Sequence, residues 1–299
     1  MCKMAEIDAA SYRDLREALE YAVDLLAKQK PHTTLVLKLP PGDHHLPAAD
    51  AAADASPDKA EMHLPQNLRL CGAGRTKTTL HAALACGAGS GLARLTLMND
   101  RRGSSAPAVE ALGASVVLED CSLVCHSSSK RSAAVLVRGT SSSVRIDACT
   151  LLSSHAGLIV ADGAAASLIS GTIENCGGPA VLLMASARLD AYKLTMRACA
   201  AGGIIVLDRA SATLTDCLFA ANGASAQVPS ISVRPSGELQ MMGGSIVDAH
   251  GVSVQLAEGA SASLDQVLLI RSARAAVAAR GSVTSLRMRD CTVSDGASV

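Results

Sequence analysis

Histidine and aspartate side chains near the start of the chain are the first groups whose types and spacing could do chemistry. Asp43-His44-His45 offers a carboxylate and two imidazoles, which are common zinc ligands, and a further ligand could come from His63 or His81. Neighbouring side chains of a strand point to opposite sides, however, so two adjacent histidines rarely bind one ion together. We therefore predict no metal site and no cofactor.

Three aspartates recur directly before a cysteine, at Asp120, Asp216 and Asp290. A short acidic side chain at a tight turn bonds its own backbone, so a role in the turn explains the recurrence. Hydrolysis by two carboxylates would need acids on neighbouring outward positions, and the sequence offers no such pair. It also offers no Ser/His/Asp or Cys/His constellation. We predict no catalytic residues.

One basic cluster lies on two of the longer connections, which should project from the same edge of the fold. An anionic ligand could bind there, which makes four residues candidates for anion binding: Arg101, Arg102, Lys130 and Arg131. The alternative interpretation is solubilising charge on surface loops.

A short pattern repeated from about Ala108 to the end must position these side chains. Each repeat is a β-prone run that meets Gly or a polar turn, followed by a second β-prone run. The second runs begin at a spacing of roughly 21 to 28 residues, in the range of solenoid repeats. Their first apolar residues are Leu92, Leu118, Ile146, Leu168, Leu189, Leu214, Met241, Leu264 and Met288.

A repeat this short cannot enclose a core alone and must stack on its neighbours. The pattern therefore predicts a solenoid of parallel strands with about nine coils. Leucine-rich repeats would need a Leu-x-x-Leu-x-Leu and Asn framework, which is absent. Ankyrin and tetratricopeptide repeats would need helical pairs, against which the Gly, Ser and Val content argues.

The first part of the chain should cover the open end of this solenoid. Residues 11–28 carry apolar side chains at helical spacing, with Ser11 as the expected N-cap and Asp14 three positions on. A strand is predicted over 34–39, and the Ala/Asp-rich segment 48–60 is interpreted as a mobile surface insertion. The chain thus divides into a cap with the first strand (1–46), a flexible insertion (47–63) and the solenoid (64–299), with the cap and the solenoid forming one domain.

Several of these features resemble the right-handed parallel β-helix of the pectate-lyase-like superfamily. The helix, the strand, Pro40-Pro41-Gly42-Asp43 and the Gly72-Ala73-Gly74 turn are similar to the entrance of that fold. The tight turn of each coil is similar as well, and it precedes Cys121, Cys149, Gly171 or Cys217. The resemblance implies an all-β, single-stranded, right-handed parallel β-helix of about nine to eleven coils with an N-terminal capping α-helix.

In polysaccharide-acting members, the resemblance places substrate on the outer face of the strand after the loop-bearing corner. Strand alternation sends four aliphatic side chains outward there, and we call them the aliphatic stripe: Leu136, Ile159, Leu182 and Ile205. Exposed aliphatic surface of a few hundred Å² favours a protein contact, either with a second copy or with another partner. The alternative is that the insertion, a loop or the N-terminal segment covers the stripe.

The second strand of each coil should instead have a solvated outer face. Its outward positions are mostly polar: Arg145, Ser167, Arg188, Asp190, Thr213, Thr215, Ser263 and Asp265. Asp248-Ala249-His250-Gly251 is similar to the Asp-Pro-His-type motif of alginate epimerase-like β-helices, but it departs from that motif at Ala249. A histidine in a turn is the preferred interpretation.

Composition limits the classes of partner and the compartment. Lys+Arg and Asp+Glu are equal at 27 each, so no net charge recruits nucleic acid or an anionic membrane. Aromatic residues make up 1% of the chain, which argues against stacking platforms. The N-terminus lacks the apolar core of a signal peptide, and no apolar run reaches transmembrane length. The ten cysteines contain no Cys-x-x-Cys and suit buried reduced thiols, so we expect an intracellular protein.

The leading hypothesis is a non-enzymatic intracellular β-helix that acts as a structural or protein-interaction module, with self-association as one option. The alternatives are a polysaccharide-acting enzyme (lyase, hydrolase or epimerase) or carbohydrate-binding protein of this fold, and a virion or assembly component. The last coil closes near Thr292-Val293, and no amphipathic helix is predicted beyond it. We therefore expect a second subunit, an extended tail or another partner to shield that end.

Overall fold

The computed structural model describes residues 4–29, 33–45, 62–100, 105–127, 132–282 and 284–295. Within these residues the chain forms three parallel sheets, which we call A, B and C and which run along one axis. Each turn of the chain adds one strand to each sheet, in the order A, B, C. The fold is the predicted all-β parallel solenoid, of about ten turns, with one helix near the N-terminus.

Sheet A has twelve strands: Met4–Asp8, Thr34–Lys38, Leu68–Cys71, Gly91–Ala93, Ser115–Glu119, Ser143–Asp147, Ala165–Ile169, Arg188–Tyr192, Ser211–Thr215, Glu238–Met242, Ser261–Asp265 and Ser285–Arg289. Sheet B has eleven: Gly42–His45, Thr78–His81, Thr96–Asn99, Ser122–Cys125, Thr150–Ser153, Thr172–Glu174, Thr195–Arg197, Leu218–Ala220, Ser245–Val247, Leu268–Ile270 and Thr292–Ser294. Sheet C has ten: Met62–Leu64, Leu84–Cys86, Val109–Leu112, Ala133–Arg138, Ala156–Ala161, Val181–Leu183, Ile204–Val206, Ile231–Val233, Val254–Leu256 and Val277–Ala279.

Side chains that alternate inward along the strands form one continuous core between the three sheets. The first apolar residues of the second β-prone runs, which the sequence analysis aligned, form an inward column of sheet A with one correction. Leu168 pairs with Ala191 and Ala191 with Leu214, so Leu189 lies two residues out of that register. Leu189 is itself buried, because it occupies the preceding inward position, and apolar character alone could not separate the two positions.

A single residue with positive φ turns the chain from sheet A to sheet B in most coils. Asp120, Asp216 and Asp290 occupy this position with φ of 50°, 53° and 52°, which supports the turn interpretation of the recurring aspartates. Ala148 and Lys193 adopt the same conformation at the same place, with φ of 52° and 53°. The turn therefore tolerates residues without a carboxylate.

A small residue stands at the start of several strands of sheet C, where the chain arrives from sheet B. Gly203 directly precedes the strand Ile204–Val206, and Gly157 is the second residue of the strand Ala156–Ala161. A Cβ atom on Gly157 would lie 2.3 Å from Ile173 Cγ2, and one on Gly203 would lie 2.4 Å from Phe219 Cδ1. Ala134 occupies the equivalent place before Val135. Small residues here leave room for the large inward side chains of sheet B, so corner and core are matched in volume.

The N-terminal helix, α1 (Leu15–Lys28), starts later than the sequence suggested. Asp14, not Ser11, is its N-cap: Asp14 Oδ1 accepts a hydrogen bond from Glu17 N at 2.9 Å, and Glu17 Oε2 accepts one from Arg13 N at 2.9 Å. Ser11 instead ends a short 3₁₀-helix (Ala9–Ser11). The strand Met4–Asp8, which the sequence did not predict, pairs with Thr34–Lys38 and so begins sheet A before the helix.

The predicted insertion 48–60 lies outside the described residues. Strands of sheets B and C lie on either side of it, at Gly42–His45 and Met62–Leu64. The division of the chain into 1–46, 47–63 and 64–299 stays a prediction. Among the described residues no helix has the length and apolarity needed to cross a bilayer.

Nine described cysteines are free thiols, most of them buried. Cys121 N donates to Cys149 Sγ at 3.3 Å across adjacent coils, so these two residues stack as predicted and are not joined by a disulfide. Burial raises the pKa of the Cys86 thiol to about 12. Thiols held in this way are small core hydrophobes.

The last described coil leaves core positions uncovered. Leu286, Met288 and Val293 are 37%, 39% and 53% exposed. Their strand partners one coil earlier, which include Leu264 and Leu269, are buried. Inward side chains of this last described coil are thus more exposed than their partners one coil earlier, and what shields them stays a prediction.

Candidate functional site

The aliphatic stripe lies on the outer face of sheet C in unbroken register. Leu136 pairs with Ile159, Ile159 with Leu182, and Leu182 with Ile205. The residues on either side of each one point inward and are buried, as strand alternation predicts. Four successive coils therefore place an aliphatic side chain at one outward position.

The stripe exposes less surface than four free aliphatic side chains would. Ile159 is only 8% exposed, and it forms a small cluster, separate from the main core, with the buried Ala133 and Ala156. Leu136 and Leu182 pack against this cluster and remain half-buried. Part of the stripe is thus covered by its own neighbours, and the exposed remainder belongs to Leu136, Leu182 and Ile205.

Polar side chains flank the stripe on both sides. On the N-terminal side, Glu110 occupies the same column and accepts a hydrogen bond from Arg138 at 2.7 Å. On the C-terminal side the column continues with Ser232 and Gln255. The outer face of sheet C therefore changes from charged to aliphatic to polar along the axis.

Two shallow depressions lie on the C-terminal half of this face. One, of about 390 Å³, is lined by Leu182, Ile205, Leu207, Asp208, Arg234 and Pro235. The other, of about 350 Å³, presents two amides and two guanidinium groups, and its polar lining residues are Gln227, Gln255, Arg274 and Arg280. Sequence reasoning missed these arginines, because they lie before and after a single strand, Val277–Ala279, and their spacing is not repeated in other coils.

The Asp248 to Gly251 segment is engaged in structural contacts. Arg271 holds both carboxylate oxygens of Asp248, at 2.5 Å and 2.9 Å, and this hydrogen bonding lowers the pKa of Asp248. His250 Nδ1 lies 2.5 Å from the carbonyl oxygen of Gly223. Asp248 also has a φ of 54°. These contacts fit the turn interpretation of the segment.

The histidines that could bind a metal occupy different faces. His63 lies on sheet C, whereas His45 and His81 are partners in register on sheet B. His44 pairs with Leu80 instead, so His44 and His45 point to opposite sides as predicted. The sequence could not show that His45 and His81 meet, because the insertion separates their coils. As they are placed, no three His, Cys, Asp or Glu side chains among the described residues could hold a metal ion together.

The candidate anion-binding residues Arg101, Arg102, Lys130 and Arg131 lie outside the described residues. Their proposed role stays a prediction.

Three parallel sheets built from successive coils define a parallel β-solenoid, and the candidate surface lies on its outside. The chain belongs to the right-handed β-helix family: residues 133–295, more than half of the chain, match the model described as a right handed beta helix region. No curated protein sequence matches the chain.

Solved structures with this fold cover almost the whole chain at low sequence identity. The mannuronan C-5 epimerase AlgE4 A-module of Azotobacter vinelandii has 12% identity and a TM-score of 0.52, over 97% of this chain and 96% of that one. The catalytic unit of a thermostable GH87 α-1,3-glucanase from Streptomyces thermodiastaticus has 11% identity and a TM-score of 0.47, over 96% and 69%. PfbA, a surface adhesin of Streptococcus pneumoniae, has 9% identity and a TM-score of 0.47, over 97% and 93%. Likeness at these identities shows the fold alone.

Proposed function

We propose that this chain is a non-enzymatic β-helix that works as a protein-interaction module, with the aliphatic stripe as its contact surface. The observation that carries the proposal is the register of Leu136, Ile159, Leu182 and Ile205 on the outer face of sheet C. Aliphatic side chains aligned over four coils gain from burial against a partner and offer a sugar no hydrogen bonds.

The contrast with sheet A supports this proposal. Outward side chains of sheet A are largely polar, and several form ion pairs, such as Arg69 with Glu119 at 2.9 Å and Lys38 with Glu6 at 2.6 Å. Such pairs suit a face that stays in water. Two faces of one solenoid thus differ in character, and the aliphatic one is the better contact surface.

The acids around the stripe also favour a non-catalytic role. A two-carboxylate mechanism needs a pair of free acids roughly 5 to 9.5 Å apart. Glu110 is held by Arg138, and Asp208 lines its depression together with Arg234 and apolar residues. Among the described residues, no second acid lines that depression beside Asp208.

A second copy of the chain is the partner to test first. We expect sedimentation velocity to show a concentration-dependent dimer, and the double substitution Leu182→Asp/Ile205→Asp should weaken it by at least about tenfold, or about 1.4 kcal/mol. The matched control is Gln240→Asp/Ser263→Asp, which adds the same charge to two paired outward positions of sheet A, as Leu182 and Ile205 are paired on sheet C. A dimer unaffected by the stripe substitutions would refute the stripe as the contact, and a strict monomer at high concentration would exclude self-association. Open-ended higher oligomers would instead fit the assembly-component alternative.

A carbohydrate-binding role is the second candidate, and one specific observation favours it. Gln227, Gln255, Arg274 and Arg280 converge on one depression, where amides can bond hydroxyl groups and guanidinium groups can bond carboxylates. Titration with oligomannuronate, an acidic sugar, tests this role. Binding that Arg274→Ala and Arg280→Ala weaken would support it, and the absence of binding would exclude this class of ligand.

We also propose an intracellular location, which the free thiols support. Fractionation of cells that express the tagged full chain would test it, and recovery from the medium would contradict it.

A further inference from the structure

The first two coils of sheet B bring two histidines together on the outside of the solenoid. His45 and His81 pair in register, and their rings stack with centroids 4.2 Å apart and an interplanar angle of 17°. The His81 side chain is 19% exposed, and its Nδ1 atom is buried without a hydrogen-bond partner. Asp100 Oδ2 lies 3.7 Å from this atom, which is too far for a hydrogen bond.

We propose that His45, His81 and Asp100 form a binding site for a divalent transition metal ion. Ligand atoms at about 2.0–2.2 Å from a tetrahedral ion stand about 3.3–3.6 Å from each other. The distance of 3.7 Å between His81 Nδ1 and Asp100 Oδ2 is close to that spacing. An ion placed between them would satisfy the buried nitrogen atom, which the carboxylate cannot reach directly.

His45 supplies the third ligand by turning its ring. Stacked rings cannot both direct a nitrogen atom at one ion, which is why no preformed three-ligand site exists among the described residues. His45 is exposed, so its side chain is free to change rotamer, whereas His81 is held between His45 and the next coil. Only the exposed ring must move.

The ligand types select the class of ion. Two imidazoles and one carboxylate suit Zn²⁺, Co²⁺, Ni²⁺ or Cu²⁺, whereas Ca²⁺ and Mg²⁺ prefer sites made of oxygen atoms. Three protein ligands leave at least one coordination position open to water, because His45 and Asp100 both face solvent. The site is independent of the aliphatic stripe, which lies on sheet C.

Binding at this site would tie the first coil to the second and to the turn after Thr96–Asn99. The three ligands are far apart in sequence and meet only in the folded chain, so an ion that binds them stabilises the fold by mass action. We expect saturating Zn²⁺ to raise the melting temperature of the full chain.

Titration of the metal-free full chain with Co²⁺ alone, followed by calorimetry and absorption spectroscopy, tests the proposal. We expect one Co²⁺ per chain, without the thiolate-to-cobalt charge-transfer absorption that cysteine ligands would produce. His45→Ala and Asp100→Asn should each weaken binding by about tenfold or more. The control His63→Ala removes an exposed histidine from sheet C and should bind as the unchanged chain does.

Two safeguards keep the test decisive. His45 and Asp100 are exposed, so their substitution should leave the circular dichroism spectrum unchanged, and His81→Gln is interpreted only if its spectrum also matches. Absence of Co²⁺ binding, a thiolate absorption band, or binding that survives both His45→Ala and Asp100→Asn would each overturn the proposal.

Discussion

Phe219, the single phenylalanine of the chain, is fully buried against Gly203 and offers a sharp test of how the corners fit the core. A Cβ atom on residue 203 would lie 2.4 Å from Phe219 Cδ1 and 2.8 Å from Cε1. Gly203→Ala therefore forces either the ring or the backbone to shift. Overpacking of this kind costs about 1–3 kcal/mol.

The same coil positions elsewhere in the chain show how the clash can be relieved. Ala134 and Leu151 are the equivalent corner and core residues three coils earlier, and both are buried. Phe219→Leu alone should cost about 1–1.5 kcal/mol through lost volume. Gly203→Ala combined with Phe219→Leu recreates the Ala and Leu arrangement, so the double variant should be more stable than the sum of the two losses by about 1 kcal/mol or more.

Urea unfolding followed by far-ultraviolet circular dichroism measures this coupling, since the chain has no Trp for fluorescence. The midpoints and slopes of all four chains must be compared, because a repeat protein can unfold in stages. Losses that add to within about 0.5 kcal/mol would refute the matched-volume explanation of the corner.

Three further predictions follow from single contacts. Arg271→Gln should raise the pKa of Asp248 towards its ordinary value, as measured by NMR titration. Because Arg271 lowers the pKa of Asp248 in the folded state, the pair stabilises the fold at a pH above the unfolded pKa. The unchanged chain loses this contribution as the pH falls through the lowered pKa. Cys86→Ala should remove no fast-reacting thiol from the folded chain in a thiol titration at pH 8, because burial raises the pKa of Cys86 to about 12; a lost fast phase would contradict this. Gly244→Ala should lower the unfolding free energy by about 3 kcal/mol or more, because its Cβ would lie 2.2 Å from the Cys217 carbonyl oxygen. Gly113→Ala, also at positive φ, should cost about 1 kcal/mol, because its Cβ would meet only Ser141 Oγ at 3.9 Å; equal losses would contradict the clash.

Strand direction, stacking and side-chain parity could be predicted because each depends on a local pattern repeated many times. The tight turns before Cys121, Cys149 and Cys217 mark where one strand ends, and alternation then fixes which side chains point outward. An error of one residue would have reversed the whole outer face. Repetition over successive coils prevents that error, which is why the position of the aliphatic stripe agrees with the structure.

Features that depend on contacts between distant residues could not be predicted. Leu189 and Ala191 are both inward and apolar enough to occupy the column, and only the pairing with the neighbouring coils decides between them. Ser11 and Asp14 are both suitable N-cap residues by type. Ser11 belongs to the short 3₁₀-helix, so Asp14 is the N-cap of the α-helix. The degree to which Ile159 is buried likewise depends on Ala133 and Ala156, which alternation alone does not place over it.

A protein contact and a sugar contact can share the outer face of sheet C only if they occupy different lengths of it. Ser232, Gln255 and Ala278 continue the column beyond the stripe, and at about 4.8 Å per coil the first and third of these positions are about 10 Å apart. That length accommodates a short oligosaccharide. A longer oligosaccharide must also lie over Ile205 and Leu182, whose side chains offer it no hydrogen bonds. The chain has no Trp, so few aromatic faces are available for stacking on the sugar. Affinity for oligomannuronate should therefore stop rising after the first few sugar units. Affinity that keeps rising with chain length, and that falls when Leu182 is replaced, would show that sugar binds along the stripe, and the protein-contact proposal would then be wrong.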